Sequence, residues 1–213
     1  MRYINIQTWP RRKHFELFNA FDFPHFNLCA DIDITSIQKQ LPKSPFSFTV
    51  VIVYVLAKAA NAVTEFRYRI RCGQVVEHDR VHPSPTILCE DDLFSFCTIP
   101  FCDDFEHFAA EAEAAIAHIK ENPTLDDKPG QDELIYMTGI PWVSFTSFTH
   151  PIHMNPVDSI PRIAWGKFFS KGDRIHMPLS VQIHHALADG IHVGRYFNLI
   201  QEYLEEPNHL LDG

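Results

Sequence analysis

The chain has 213 residues, 46% hydrophobic and 21% charged, the composition of a soluble globular domain long enough to bury a sizeable core. A formal net charge of −9 argues against a nucleic-acid surface, so an anionic ligand has to be held by local basic groups against the overall field. Five cysteines without a CxxC pair exclude a disulfide framework and a zinc knuckle, and neither a signal-peptide core nor a bilayer-length apolar run is present, so the expectation is a cytoplasmic protein without membrane contact.

No repeat or low-complexity tract divides the chain, and residues 1–213 read as one domain. "NLCADIDITSIQKQL" alternates apolar and polar residues and turns helical after Thr35-Ser36. "SFTVVIVYVLAKAANAVTEF" carries Val51, Tyr54, Val55, Ala59 and Val63 at helical spacing, which predicts a buried helix despite its β-branched start. "FRYRIRCGQVVEHDRV" predicts two strands joined at Cys72-Gly73, and "PTILCEDDLFSFCTIPF" adds further strands. In "CDDFEHFAAEAEAAIAHIKEN" two aspartates open a helix and Asn122-Pro123 closes it. A loop rich in Pro, Gly and Asp follows. Three extended segments come next, "ELIYMTGIPWVSFTSF", "RIAWGKFFS" and "RIHMPLSVQIHH", the last entered through a Gly172-Asp173 turn. From Ile191 an amphipathic helix runs to about Glu206, with Val193, Phe197, Ile200 and Leu204 on one face. The fold class is mixed α/β, with helices over a largely antiparallel or mixed sheet.

"SVQIHHALADG" concentrates the chemistry. Strand alternation places His185 on the apolar face of Ile183 and His184 on the polar face of Gln182, so His185 is expected to enter a partly dry cavity at the strand end. A neutral imidazole there can accept a proton, and Asp189 can tie down the turn into the last helix. A metal site is disfavoured, because adjacent strand histidines face apart and no third ligand follows at helical spacing.

"HHALADG" resembles the HHxxxDG motif of coenzyme A-dependent acyltransferases. "TWPRRKHFELF", "PWVSFTSF" and "MPLSVQIHHALADGIHVGRYFNLIQEY", in that order, narrow the resemblance to the chloramphenicol acetyltransferase type over nearly the whole chain. The resemblance implies a two-layer sandwich, helices packed on one side of the sheet, and a homotrimer with active sites at subunit interfaces. It implies acetyl-CoA as co-substrate, no metal, and a small-molecule hydroxyl acceptor, chloramphenicol first among them. His185 would be the general base and Ser147 the donor to the oxyanion. Asp189 would pair with Arg11 to hold the histidine loop, and Phe168 would lie beside the adenine of the coenzyme.

The departures concern the acceptor. Ala164 stands where the resistance enzymes carry a water-holding threonine. Phe96 replaces a small pocket residue, whereas Phe94 matches their phenylalanine. "LFNAFDFPHFNL", with Phe18, is more aromatic than usual, and "FTHPIHMNPVDSIP" differs from the family's continuation. A bulky side chain can exclude a substrate outright, whereas a lost water contact lowers a rate. Two alternatives therefore stand beside chloramphenicol acetylation: an acyltransferase for another hydroxylated acceptor, and an idle binding module.

Overall fold

In the computed structural model, which describes residues 1–126 and 130–206, the strand ending at the histidine pair lies inside a seven-stranded sheet. The first half of the chain supplies β1 (Arg2–Tyr3), α1 (Arg12–Phe18), β2 (His25–Asp33), α2 (Thr35–Gln40), α3 (Phe48–Ala62), β3 (Tyr68–Arg71), β4 (Gln74–Glu77) and β5 (His82–Leu88). The second supplies β6 (Phe94–Phe96), α4 (Phe105–Glu121), β7 (Leu134–Ile140), β8 (Arg162–Gly166), β9 (Phe169–Lys171), β10 (Arg174–His184) and α5 (Gly190–Glu205). The large sheet runs β2-β10-β8-β7-β5-β6, with β9 paired to β10. Its β5–β7 and β7–β8 pairs are parallel and the others antiparallel, which makes it mixed and largely antiparallel. A small sheet, β1-β4-β3, stands apart from it.

The helix α3 is the centre of the core. Val50 to Ala57 are all buried, so it is covered on every side rather than along one stripe. Ser47 caps it by accepting from Val50 N at 3.3 Å. Along β10 the odd residues Met177, Leu179, Val181 and Ile183 join α3, α4 and α5 in one hydrophobic cluster. The even residues Ser180, Gln182 and His184 face the other way and are also buried, at 1%, 2% and 1% exposure. That polar face is covered by the segment that follows β7, not by solvent.

Several expectations shift at element ends. The predicted turn at Cys72-Gly73 is present, with φ of 49° and 75°, the left-handed pair a two-residue hairpin requires. Thr35 is the first residue of α2 rather than its cap. Asp33 Oδ1 takes the Thr35 N–H at 2.9 Å, and the Thr35 hydroxyl accepts from Ile175 N at 2.8 Å. On α5 the buried face is Val193, Tyr196, Ile200 and Leu204; Phe197 is only half-buried, because Tyr196 stacks on Phe66 at 4.4 Å and fills the core instead. The predicted strand through "PWVSFTSF" stops at Ile140, where Pro141 withdraws an N–H from the ladder. Residues 127–129 of the predicted loop, and 207–213 of the predicted 1–213 span, lie outside the described residues. Among the described residues no helix is long and apolar enough to cross a membrane.

Candidate functional site

His185 does not continue the alternation of β10. Leu187 N and Ala188 N fold back onto His184 O at 3.0 and 3.2 Å, which ends the strand one residue early and places His185 in the turn before α5. The drier imidazole is therefore His184, at 1% exposure, while the His185 side chain keeps 32%. This corrects the expectation that His185 is the one facing the core.

The His185 ring is nonetheless closely held. Its backbone N–H donates to Pro24 O at 2.7 Å. Phe18, from α1, stacks on the ring with centroids 3.8 Å apart and planes 8° from parallel, and Phe26 tilts against it at 4.7 Å. Phe18, expected against the acceptor, thus packs on the histidine. Nδ1 lies 3.1 Å from Ala188 O and 3.2 Å from Asp189 Oδ1, two groups that only accept. The hydrogen of the neutral ring therefore sits on Nδ1, which leaves the lone pair on Nε2. That is the protonation pattern of a general base.

The turn beneath the ring is fixed from α1. Arg11 grips both carboxylate oxygens of Asp189, with Nη2 2.6 Å from Oδ1. The same guanidinium donates through Nε to Ala186 O at 2.9 Å and through Nη2 to His185 O at 2.7 Å. One planar cation thus satisfies three residues of the loop in a fork only arginine can supply. The Arg11 hydrogen bond holds the Asp189 carboxyl below its usual range.

Ser147 lies elsewhere, exposed on the loop between β7 and β8. The polar face of the sheet anchors the backbone beside it. Phe148 O accepts from Asn27 Nδ2 at 2.7 Å and from Ser180 Oγ at 2.9 Å, and His150 N donates to Gln182 Oε1 at 2.7 Å. Asn27, Ser180 and Gln182 were not singled out from the sequence; the signal for them is polar residues alternating through strands otherwise built of apolar ones. Beside this loop opens a cavity of about 750 Å³, walled by Phe94, Phe96, Tyr136, Trp142, His150 and Arg162. Neither His185 nor any residue of its cradle lines it. Ala164 is fully buried on β8 opposite Ser180, and Phe168 is 45% exposed beside Phe48. Of the predicted residues, Arg11, Phe18 and Asp189 gather around His185 and Phe94 and Phe96 line the cavity, whereas Ser147, Ala164 and Phe168 belong to neither group.

Among the described residues, three potential metal ligands come within 4.8 Å of one another only at His78, Asp132 and Glu133. There Arg71 bonds both oxygens of Asp132, so a guanidinium stands where a cation would.

Burial lowers His184 to about 3 and His150 to about 4, with neighbouring His25 and Arg162 respectively adding to the effect. In the unfolded chain both titrate near the ordinary ~6.5, so between that pH and about 4 the unfolded state binds more protons. The stability these residues contribute is complete above pH ~6.5 and is lost as the pH falls toward 4. Thermal melting is expected to drop between pH 7 and 5, above the range where carboxylates titrate, and the drop should shrink in His184→Gln. A melting temperature that holds or rises over that interval contradicts this.

Comparisons with known proteins identify the family. The family model described as chloramphenicol acetyltransferase matches residues 1–201. A chloramphenicol acetyltransferase of Klebsiella sp is 34% identical over 206 residues, covering 95% of this chain and 93% of that protein. A solved chloramphenicol acetyltransferase superposes with a TM-score of 0.86 at 26% identity, covering 95% of this chain and 99% of the other. A dihydrolipoamide acetyltransferase of Azotobacter vinelandii shares the fold, with a TM-score of 0.68 at 15% identity over 93% of this chain and 88% of that one. The chain belongs to the chloramphenicol acetyltransferase family.

Proposed function

We propose that this protein, acting as one acyltransferase domain, transfers acetyl from acetyl-CoA to a hydroxyl of chloramphenicol. The observation that carries the proposal is the free Nε2 of His185, left by an Nδ1–H committed to Ala188 O. Nε2 removes the proton from the acceptor hydroxyl as its oxygen attacks the thioester carbonyl. The Ser147 hydroxyl donates to the oxyanion so formed. Collapse of the tetrahedral intermediate breaks the carbon–sulfur bond, and the departing thiolate takes the proton back from the imidazolium. Phe168, an exposed ring, is suited to lie against the adenine of the coenzyme.

His185 and the cavity belong to different surfaces of one chain, and both surfaces are apolar. Leu17, Phe21 and Phe23 are exposed on the His185 side, and Leu88, Phe94 and Trp142 at the cavity. A head-to-tail ring of three copies covers both and sets His185 of each against the cavity of the next. The cavity keeps about 750 Å³ with Phe96 in place, which suits an aryl acceptor between aromatic walls. The ion pair of Arg162 with Asp158 in the same wall favours a second reading, a more polar hydroxylated acceptor.

Subunit mixing tests the arrangement. His185→Ala and Ser147→Ala variants, each nearly inactive, are refolded together. If the two residues of one site come from neighbouring copies, roughly a quarter of wild-type turnover returns, the chance that random mixing sets an intact His185 against an intact Ser147. If both come from the same copy, the mixture stays as inactive as its parents.

A further inference from the structure

His192 sits on the first turn of α5 and takes part in none of the steps above. Its Nδ1 accepts the Asp189 N–H at 2.8 Å, while its own N–H donates to Asp189 O at 3.0 Å. A side chain at this helix position reaching back to the cap residue is a role usually filled by Glu or Gln. Because a backbone N–H only donates, Nδ1 must be unprotonated, which leaves the ring hydrogen on Nε2. Nε2 lies 3.4 Å from Glu65 Oε1, on the turn that follows α3. Both side chains are largely buried, at 14% and 21% exposure.

A continuous chain of contacts therefore runs from the end of the central helix to the catalytic ring: Glu65 to His192, His192 to the Asp189 backbone, and the Asp189 carboxylate to His185 Nδ1 at 3.2 Å. Arg11 braces the Asp189 carboxylate from the α1 side. It does not touch the Asp189 amide, and that end of the residue is held by His192. With both ends fixed, Asp189 cannot swing away from Nδ1, and the His185 ring keeps the rotation that aims Nε2 outward.

We infer that His192, oriented by Glu65, is a positioning residue for the transfer reaction: it fixes the backbone of Asp189 so that the base stays aimed at the acceptor. The inference rests on the reading of His185 as the base.

The test compares kcat and KM in His192→Leu, His192→Gln and Glu65→Ala, with His185→Ala as the control. Leu removes the acceptor, and small displacements of a reacting group are costly, so kcat should fall about 10- to 100-fold with KM for both substrates unchanged. Gln can accept from Asp189 N and donate to Glu65, so it should restore kcat to within about threefold of wild type. Glu65→Ala should lower kcat in the direction of Leu. Wild-type kcat in His192→Leu, or a Gln variant as slow as Leu, overturns the inference. If His192→Leu does not fold, Gln and Glu65→Ala decide it: Gln must stay within about threefold of wild-type kcat and Glu65→Ala must fall below that range, and any other pair of results overturns it. A His185→Ala control that remains active refutes the base itself, which is a separate failure.

Discussion

Replacing His185 with Ala is expected to lower turnover about 10²- to 10⁴-fold, the range a positioned general acid–base group contributes, while KM values change little and the protein stays folded. The fold survives because the residue contributes little burial: its side chain is 32% exposed, and its backbone bonds to Pro24 and Arg11 do not depend on the side chain. The reaction does not survive because neither neighbouring imidazole, His184 or His192, can take over. His184 is buried at the end of β10 with its pKa near 3, and its Nδ1 is used by Ala186 N. His192 has Nδ1 committed to Asp189. Steady-state kinetics on the purified variant, with a thermal melt beside them, check the prediction. Wild-type kcat would remove His185 from the mechanism.

The second large effect belongs to Arg11. Arg11→Ala removes four bonds to one turn and leaves a carboxylate that is 31% exposed without its cation. A loss of about 3 kcal/mol is expected, since the turn loses four charge-assisted hydrogen bonds and a half-buried carboxylate is left without its cation. For a chain of this length that is roughly 6–12 °C in melting temperature. Turnover should fall as well, because Asp189 touches His185 Nδ1. Arg11→Ala combined with Asp189→Ala should lose less than the sum of the two single variants, since the first already removes what the second would. Melting and kinetics on the three variants test this, and strict additivity in both would mean the two residues act independently.

How far the site is legible in the sequence follows from which interactions are local. The motif around His185 and Asp189 is contiguous, so its chemistry can be read directly, and the long helices α3 and α4 follow from pattern and caps. Which face His185 occupies could not be read that way. Strand alternation predicts the core side, but it holds only while the ladder continues, and the fold-back of Leu187 and Ala188 onto His184 ends it. Phe18 shows the same limit: an aromatic segment signals a pocket, yet the partner of this ring is 167 residues away in sequence and lies against the histidine. The anchors of the Ser147 loop are not legible in the sequence because Asn27, Ser180 and Gln182 act through the backbone of a distant segment. Arg11 is recognisable only through the resemblance. Nothing within residues 9–13 announces that its guanidinium will close a turn near the other end of the chain.

Acetyl transfer by His185 is tested most directly by release of free coenzyme A thiol from acetyl-CoA, with and without chloramphenicol, in wild type and in His185→Ala. Rapid release that requires both chloramphenicol and His185 is the expected result. Folded wild-type protein that binds acetyl-CoA but gives no chloramphenicol-stimulated release would contradict it.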